Sequence, residues 1–492
     1  MMIIETQYGK VQGTQEGSVY VWKGIPFARP PIGSLRFRPP QPPEAWTGVR
    51  DATAFGPISA QPPIAMENFF GAAKVPSGED CLHLNIWSPG ADNARRPVMF
   101  WIHGGAFVGG SGSMPWYNGS AFAVNGDVVV VTINYRLGAL GFLHLADLGD
   151  ENYVFSSNCG ILDQIAALEW VRDNIAAFGG DPANVTIFGE SAGAMSAGTL
   201  LAMPASQGLF KRAILQSGAA HSVARPKAAT RVASDFLTAL GLDTDQAAEL
   251  IDVPVDQLLA AQNKVFSSSG LVTFQPVVDA ITLPCKPADA IADGSARGVD
   301  ILIGTNRNEM KFFTVMDPRQ ASVNESLLKR LFGANAEQAL DTYRAALPEE
   351  LSVNAWTDLT TDRTFRVPAI RLAEGQSKRG ERVWMYRFDW LSSAFGGRLG
   401  ACHALEIPFV WNNLDQPGVA GLTGDSPARQ SLADRMHAAW IAFAHTGNPN
   451  MSSIPDWPTY DTERRATMIF DETCRVENDP QANERRLWEG VL

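Results

Sequence analysis

The stretch Asn184-Val185-Thr186-Ile187-Phe188-Gly189-Glu190-Ser191-Ala192-Gly193-Ala194 does most to narrow what this chain can fold into. The β-branched and aromatic run from Val185 to Phe188 reads as a strand, and the small-residue run from Ala192 to Ala202 as a helix. Between them, a Gly-x-Ser-x-Gly pentapeptide must turn the chain sharply and hold Ser191 at the apex in a strained conformation. Gly189 and Gly193 omit the side chains that would collide in such a turn. By itself the pentapeptide also suits an ordinary turn serine. The flanking strand and helix, with the partners identified below, favour a nucleophile.

The rest of the chain repeats this strand-and-helix alternation. Apolar runs at 82–87, 98–102, 128–135, 213–218, 301–303 and 383–388 read as strands, and 160–177 and 225–262 as helices. Strands alternating with helices of this length predict an α/β fold with a large, mostly parallel sheet covered on both faces. Residues 3–22 alternate around Gly9, Gly13 and Gly17 and predict a small N-terminal antiparallel sheet. The proline-dense segment 24–40 can be neither helix nor central strand and reads as an ordered surface wrap. Helical stretches between 324 and 378 predict a cap-like insertion. With no repeat, low-complexity tract or flexible linker, residues 1–492 are expected to form one domain.

Charge and cysteine content exclude several classes of partner. A net charge of −12 and a pI near 5.1 argue against nucleic acid or an anionic membrane surface. The N-terminus carries neither the basic start nor the apolar segment of a signal peptide, and no apolar run is long enough to span a bilayer. The five cysteines are odd in number, widely spaced and without metal-ligand spacing, which predicts reduced thiols in the cytoplasm.

A serine hydroxyl needs a base within hydrogen-bond reach, and that base needs an acid on its other nitrogen. Of the seven histidines, six lie in strands, glycine turns or helical segments, where packing or capping explains them. His403 lies in a loop after a late strand, and Glu309 follows the strand 301–303. The order Ser191, Glu309, His403 is the nucleophile, acid, base order of α/β-hydrolases. His103-Gly104-Gly105-Ala106 directly follows a strand, where backbone without side chains can cradle a developing oxyanion. The same stretch also fits a plain glycine turn, but it lacks the lysine of a phosphate loop.

Six motifs together resemble the type-B carboxylesterases, the family of para-nitrobenzyl esterases and cholinesterases, over essentially the whole length. They are Gly24-Ile25-Pro26-Phe27-Ala28, Glu79-Asp80-Cys81-Leu82-His83-Leu84-Asn85-Ile86, Trp101-Ile102-His103-Gly104-Gly105-Ala106-Phe107, Gly189-Glu190-Ser191-Ala192-Gly193, Gln275-Pro276-Val277-Val278-Asp279 and His403-Ala404-Leu405-Glu406-Ile407-Pro408-Phe409. The resemblance implies an α/β-hydrolase fold with Ser191 as nucleophile, Glu309 as acid and His403 as base. It assigns the oxyanion donors to the N–H groups of Gly105, Ala106 and Ala192. It also implies structural ion pairs Arg36–Glu79 and Arg136–Asp163, and places Ser217 near the triad.

Departures from the family pattern carry information too. Met310 follows the acid where the family often has glycine. Residues 57–60 lack the cysteine that pairs with Cys81 in secreted relatives, and residues 59–80 lack the choline-binding tryptophan of cholinesterases. Where cholinesterases crowd the acyl pocket with aromatics, the matching positions are Gly270 and Val272, while Phe312, Phe313 and Phe107 keep apolar walls. The expected activity is therefore hydrolysis of small to medium apolar or aromatic esters through an acyl-enzyme. No metal or cofactor is required, and the enzyme is expected as a monomer or homodimer. A carbamate or amide hydrolase on the same triad, and a non-catalytic binding protein, are the competing readings.

Overall fold

Consecutive apolar residues, too few for a helix, become strands buried on both faces in the computed structural model, which describes residues 2–62, 75–148, 151–269, 273–346 and 354–491. Seven parallel strands form the centre, in the spatial order Val129–Ile133, Arg96–Ile102, Gly180–Glu190, Arg212–Gln216, Asp300–Asn306, Val383–Phe388 and Ala466–Phe470. Arg475–Asn478 closes one edge antiparallel. At the other edge His83–Ser88, Val19–Pro26, Gly9–Glu16 and Met2–Thr6 continue the sheet antiparallel.

The N-terminal strands form the expected small antiparallel portion, and it is continuous with the main sheet, because Val19–Pro26 pairs with Gly9–Glu16 on one side and with His83–Ser88 on the other. A register shift between Trp22 and Ile25 bends that strand, and Gly24 supplies the positive φ of 71° in the irregularity.

Alternation along each strand divides the interior in two. Phe100, Ile102, Ile187, Leu215 and Ile303 face one layer, which helix Cys159–Asn174 covers. Met99, Trp101, Phe188, Ile214 and Leu302 face the other, against Trp411 and the helix Ala428–Thr446. Both expected ion pairs form and are bidentate. Arg36 meets Glu79 at 2.7 and 2.8 Å, and Arg136 meets Asp163 at 2.8 and 2.7 Å. The cap has its own small core around Leu340, Trp356, Leu359 and Trp488.

The chain order reverses where Arg96–Ile102 lies between Val129–Ile133 and Gly180–Glu190. Ligands of open α/β sheets bind beyond the carboxyl ends of strands at such a switch point. Register aligns those ends: Gly189 pairs with Ile102, Glu190 with Gln216, and Gln216 with Gly304. The three loops that follow therefore emerge side by side. Among the described residues no helix is long and apolar enough to cross a membrane.

All five cysteines are free thiols; four are buried and Cys285 is exposed. Burial pushes the thiol of Cys81 up to about 12 and that of Cys159 up to about 11. One thiol should react quickly with a disulfide reagent in the native protein, and all five after denaturation without reductant. Spectrophotometric titration checks this, and fewer than five thiols in the denatured protein would contradict it.

Candidate active site

Ser191 caps helix Ala192–Leu200 with φ 55° and ψ −122°, a conformation essentially reserved for glycine. The turn is held by its own backbone: Ser191 N donates to Gln216 O at 2.9 Å, and Met195 N donates to Ser191 O at 2.9 Å. The glycines of the pentapeptide are sterically required. A Cβ on Gly193 would lie 1.9 Å from Ile102 O, and one on Gly189 would lie 2.6 Å from the same atom.

The loop after Ile102 turns back against this elbow. A Cβ on Gly104 would lie 2.9 Å from the Glu190 carboxylate and 3.2 Å from Ser191 Cβ. Gly105 at φ 116°, Ala106 at φ 54° and Phe107 at φ 61° keep the loop in left-handed territory. For two non-glycine residues in succession this costs on the order of 1–2 kcal/mol each. Val108 N and Gly109 N both donate to Gly105 O. The N–H groups of Gly105, Ala106 and Ala192 donate to no protein acceptor among the described residues.

Glu309 and His403 are brought together. His403 Nδ1 lies 2.7 Å from Glu309 Oε2, and His403 N donates to Glu309 O at 3.3 Å. Asn306 N donates to Glu309 Oε1 at 2.8 Å, which fixes the carboxylate. Met310 opens the helix Met310–Met316 with no positive φ, so the position does not require the family's glycine. The imidazole packs against Phe365 and Phe313, with ring centroids 4.8 and 5.2 Å away.

No hydrogen bond joins Ser191 to His403 among the described residues. His403 Nε2 instead lies 3.1 Å from Glu190 Oε1, an ion-pair contact without the alignment of a hydrogen bond. Sequence reasoning passed over Glu190 as the variable position of the pentapeptide. It also passed over Glu406, which accepts from Asn306 Nδ2 at 2.6 Å and from Gln216 Nε2 at 3.1 Å. The one available signal was a carboxylate beside the serine and another three residues after the histidine. Ser217, at φ 53°, follows its strand beside the elbow, and its buried hydroxyl has no hydrogen-bond partner.

Of the expected pocket residues, Phe313 packs against the imidazole and Phe312 is buried behind it at 5.4 Å. Phe107 is buried edge-on to Phe142 at 5.1 Å. Gly270 and Val272 lie outside the described residues. The other histidines serve structure. His103 stacks on Tyr135, His144 bridges Ser157 and Asp147, and His437 and His445 each hold a backbone carbonyl.

Three carboxylates, Glu190, Glu309 and Glu406, are thus buried around one imidazole. Burial raises the Glu190 carboxyl to about 8; the imidazole opposes this, and Glu406 and Glu309 add to it. Burial raises Glu406 too, with Glu309 adding to it and hydrogen bonds from Asn306 and Gln216 opposing. For His403 burial disfavours the cation, but Glu190 and Glu309 outweigh it and raise the group to about 9. His403 and Glu190 therefore titrate as a pair, the protonation of each depending on the other. Glu190→Gln should lower the imidazole's apparent pKa by about one unit or more, since a carboxylate in contact favours the charged form. NMR titration of the labelled His403 ring reads this, and an unmoved midpoint would remove Glu190 from the account.

This arrangement can activate a hydroxyl, hold a carbonyl oxygen on backbone N–H groups and shuttle one proton. Comparison with known proteins agrees with that chemistry. The model of the carboxylesterase family matches residues 1–488. The chain is 44% identical to para-nitrobenzyl esterase of Bacillus subtilis (strain 168), covering 98% of each protein. It is 38% identical to phenmedipham hydrolase of Pseudarthrobacter oxydans, covering 97% of each. Carboxylesterase EST55 of Geobacillus stearothermophilus at pH 6.2 superposes with a TM-score of 0.90 at 46% identity, covering 99% of both chains. With an α/β-hydrolase sheet, an elbow serine and a match along nearly its entire length, the chain belongs to the carboxylesterase family and is a carboxylic ester hydrolase.

Proposed function

We propose that Ser191, His403 and Glu309 form the catalytic triad of a serine carboxylesterase, with Gly105, Ala106 and Ala192 as its oxyanion hole. The observation that carries this reading is the 2.7 Å contact between His403 Nδ1 and Glu309, made beside a strained serine elbow. In the mechanism, the imidazole swings from Glu190 to Ser191 and takes the hydroxyl proton as the oxygen attacks the ester carbonyl. Glu309 stabilises the resulting imidazolium. The carbonyl oxygen becomes an oxyanion held by three backbone N–H groups, each worth on the order of 3 kcal/mol. The alcohol departs with the proton from Nε2, and water repeats the sequence on the acyl-enzyme.

Ser191→Ala should lower the turnover of para-nitrophenyl butyrate at least a thousandfold or so. Adding His403→Ala should cost little more, because the residues act as a unit. A Ser191→Ala variant with the parent rate would refute the assignment. Mass spectrometry after organophosphate treatment gives an independent reading, with a single adduct expected on the Ser191 peptide.

The substrate reading rests on the resemblance at 270–272 and on Phe313 as an apolar wall beside the base. A wider acyl site rewards longer acids by about 0.8 kcal/mol per buried methylene, roughly fourfold. We infer higher kcat/KM for butyrate or hexanoate than for acetate esters of one phenol, and reversal of that order in Val272→Phe. A chain-length profile unchanged in Val272→Phe would reject the pocket. The free thiols support a reducing compartment, the cytoplasm, for one domain working as a monomer or homodimer.

A further inference from the structure

Away from the catalytic centre, a groove of about 720 Å³ opens between helix Val367–Ser377, helix Pro287–Asp293 and the C-terminal helix Ala482–Leu487. Its volume is that of a small-molecule site. Its charge is opposite to that of the chain, which carries −12 overall. Both carboxylates in its wall are paired, Glu374 with Arg465 and Glu489 at 2.6 Å with Arg485, which also binds Asp479. Three further cations of the wall have no carboxylate partner among the described residues, and a fourth has only a long contact with an exposed one.

Arg297 and Lys378 are exposed and have no carboxylate partner among the described residues. Arg371 gives Nη2 to the backbone oxygen of Trp488 at 2.9 Å, which holds the guanidinium without cancelling its charge. Arg379 donates to Ala292 O, and its nearest carboxylate, Asp293, is 3.9 Å away and 88% exposed. Like charges are normally dispersed or paired over an acidic surface; gathered in a concavity, they focus a positive potential into it. The floor beneath them is apolar. Val367 and Ile370 lie in it at 3% and 7% exposure, beside the buried Trp488.

Guanidinium groups at the mouth and hydrocarbon beneath suit a ligand with an anionic head and an apolar tail. We propose that this groove binds medium-chain carboxylates. They are the acid products of ester hydrolysis, so the choice of carboxylate over other amphipathic anions rests on that activity. Arginine receives a carboxylate through two parallel N–H donors, and the tail lies along Val367 and Ile370.

The test is isothermal titration calorimetry of the full chain with sodium octanoate, butyrate and inorganic phosphate, no ester being present. Binding is thereby read apart from the hydrolytic assignment. Octanoate should bind more tightly than butyrate, by about fourfold for each methylene that is buried. It should weaken several-fold as sodium chloride rises from about 0.02 to about 0.5 M. Arg297→Glu combined with Lys378→Glu should reduce octanoate affinity at least about tenfold, since each reversal replaces an attraction by a repulsion. Esterase kcat/KM should stay at the parent value, which also shows the variant folded. Absence of octanoate binding, or equal binding by the double variant, would overturn the proposal. Phosphate binding as tightly as octanoate would show a plain anion site and overturn the amphiphile reading.

Discussion

Everything at the active site depends on how closely three backbone segments pass one another. The end of strand Arg96–Ile102, the elbow at Ser191 and the turn after Gln216 meet with no side chain between them. A Cβ on Gly193 would strike Ile102 O at 1.9 Å, and one on Gly218 would lie 2.7 Å from Ser191 O. The parallel register brings these ends level, and glycine lets them close. Any larger residue would part the loops by an ångström or more, enough to lose the preorganisation on which positioned catalysis relies. The strain at Ser191 and Ala106 is maintained because the surrounding contacts leave the backbone no relaxed alternative.

The second constraint is electrostatic. Glu190, Glu309 and Glu406 are held away from water around one imidazole, which pairs with Glu190 and Glu309. Such crowding is tolerable because neutral donors share the charge. Asn306 donates to Glu309 through its backbone and to Glu406 and Cys402 O through its side chain. Gln216 donates to Glu406 while accepting from Trp440 Nε1 at 3.1 Å. One asparagine thereby fixes the strand end before Glu309 and the loop of His403 together. The carboxylates make the imidazole a stronger base and also keep more of it protonated near neutrality, so basicity and availability pull in opposite directions.

The sequence displayed what depends on local pattern. Val185–Phe188 and Val383–Phe388 are strands because β-branched and aromatic runs of that length cannot pack otherwise. The elbow was legible because only its glycines fit the turn. Ser191, Glu309 and His403 could be ordered along the chain, and the contact between the last two followed. What stayed hidden depends on distance in space. Glu190 occupies a position the motif leaves open, and nothing local says its carboxylate turns toward an imidazole 213 positions later in the chain. The strand Ala466–Phe470 is five residues long, and only its pairing with Val383–Phe388 identifies it as the sheet's last parallel member. Period and turns revealed the N-terminal antiparallel strands, but not that they join the main sheet through His83–Ser88.

The cap meets His403 through one irregular turn, and the chemistry of the chain accounts for it. Residues Asp362–Arg366 form a π-helical turn between helices Ala355–Thr361 and Val367–Ser377. Pro368 stands four residues after Thr364. It has no N–H to offer that carbonyl, and its ring would collide with the carbonyl in a regular α-helix. The turn widens, as single π-turns inside helices do. The widened turn carries Phe365, whose ring lies 4.8 Å from His403, while Phe313 lies 5.2 Å from the same ring. The proline of the cap thus helps to set the turn that carries an aromatic to His403. The imidazole owes its position to that contact as well as to Glu309, because the carboxylate holds one nitrogen while Phe365 and Phe313 pack against the ring.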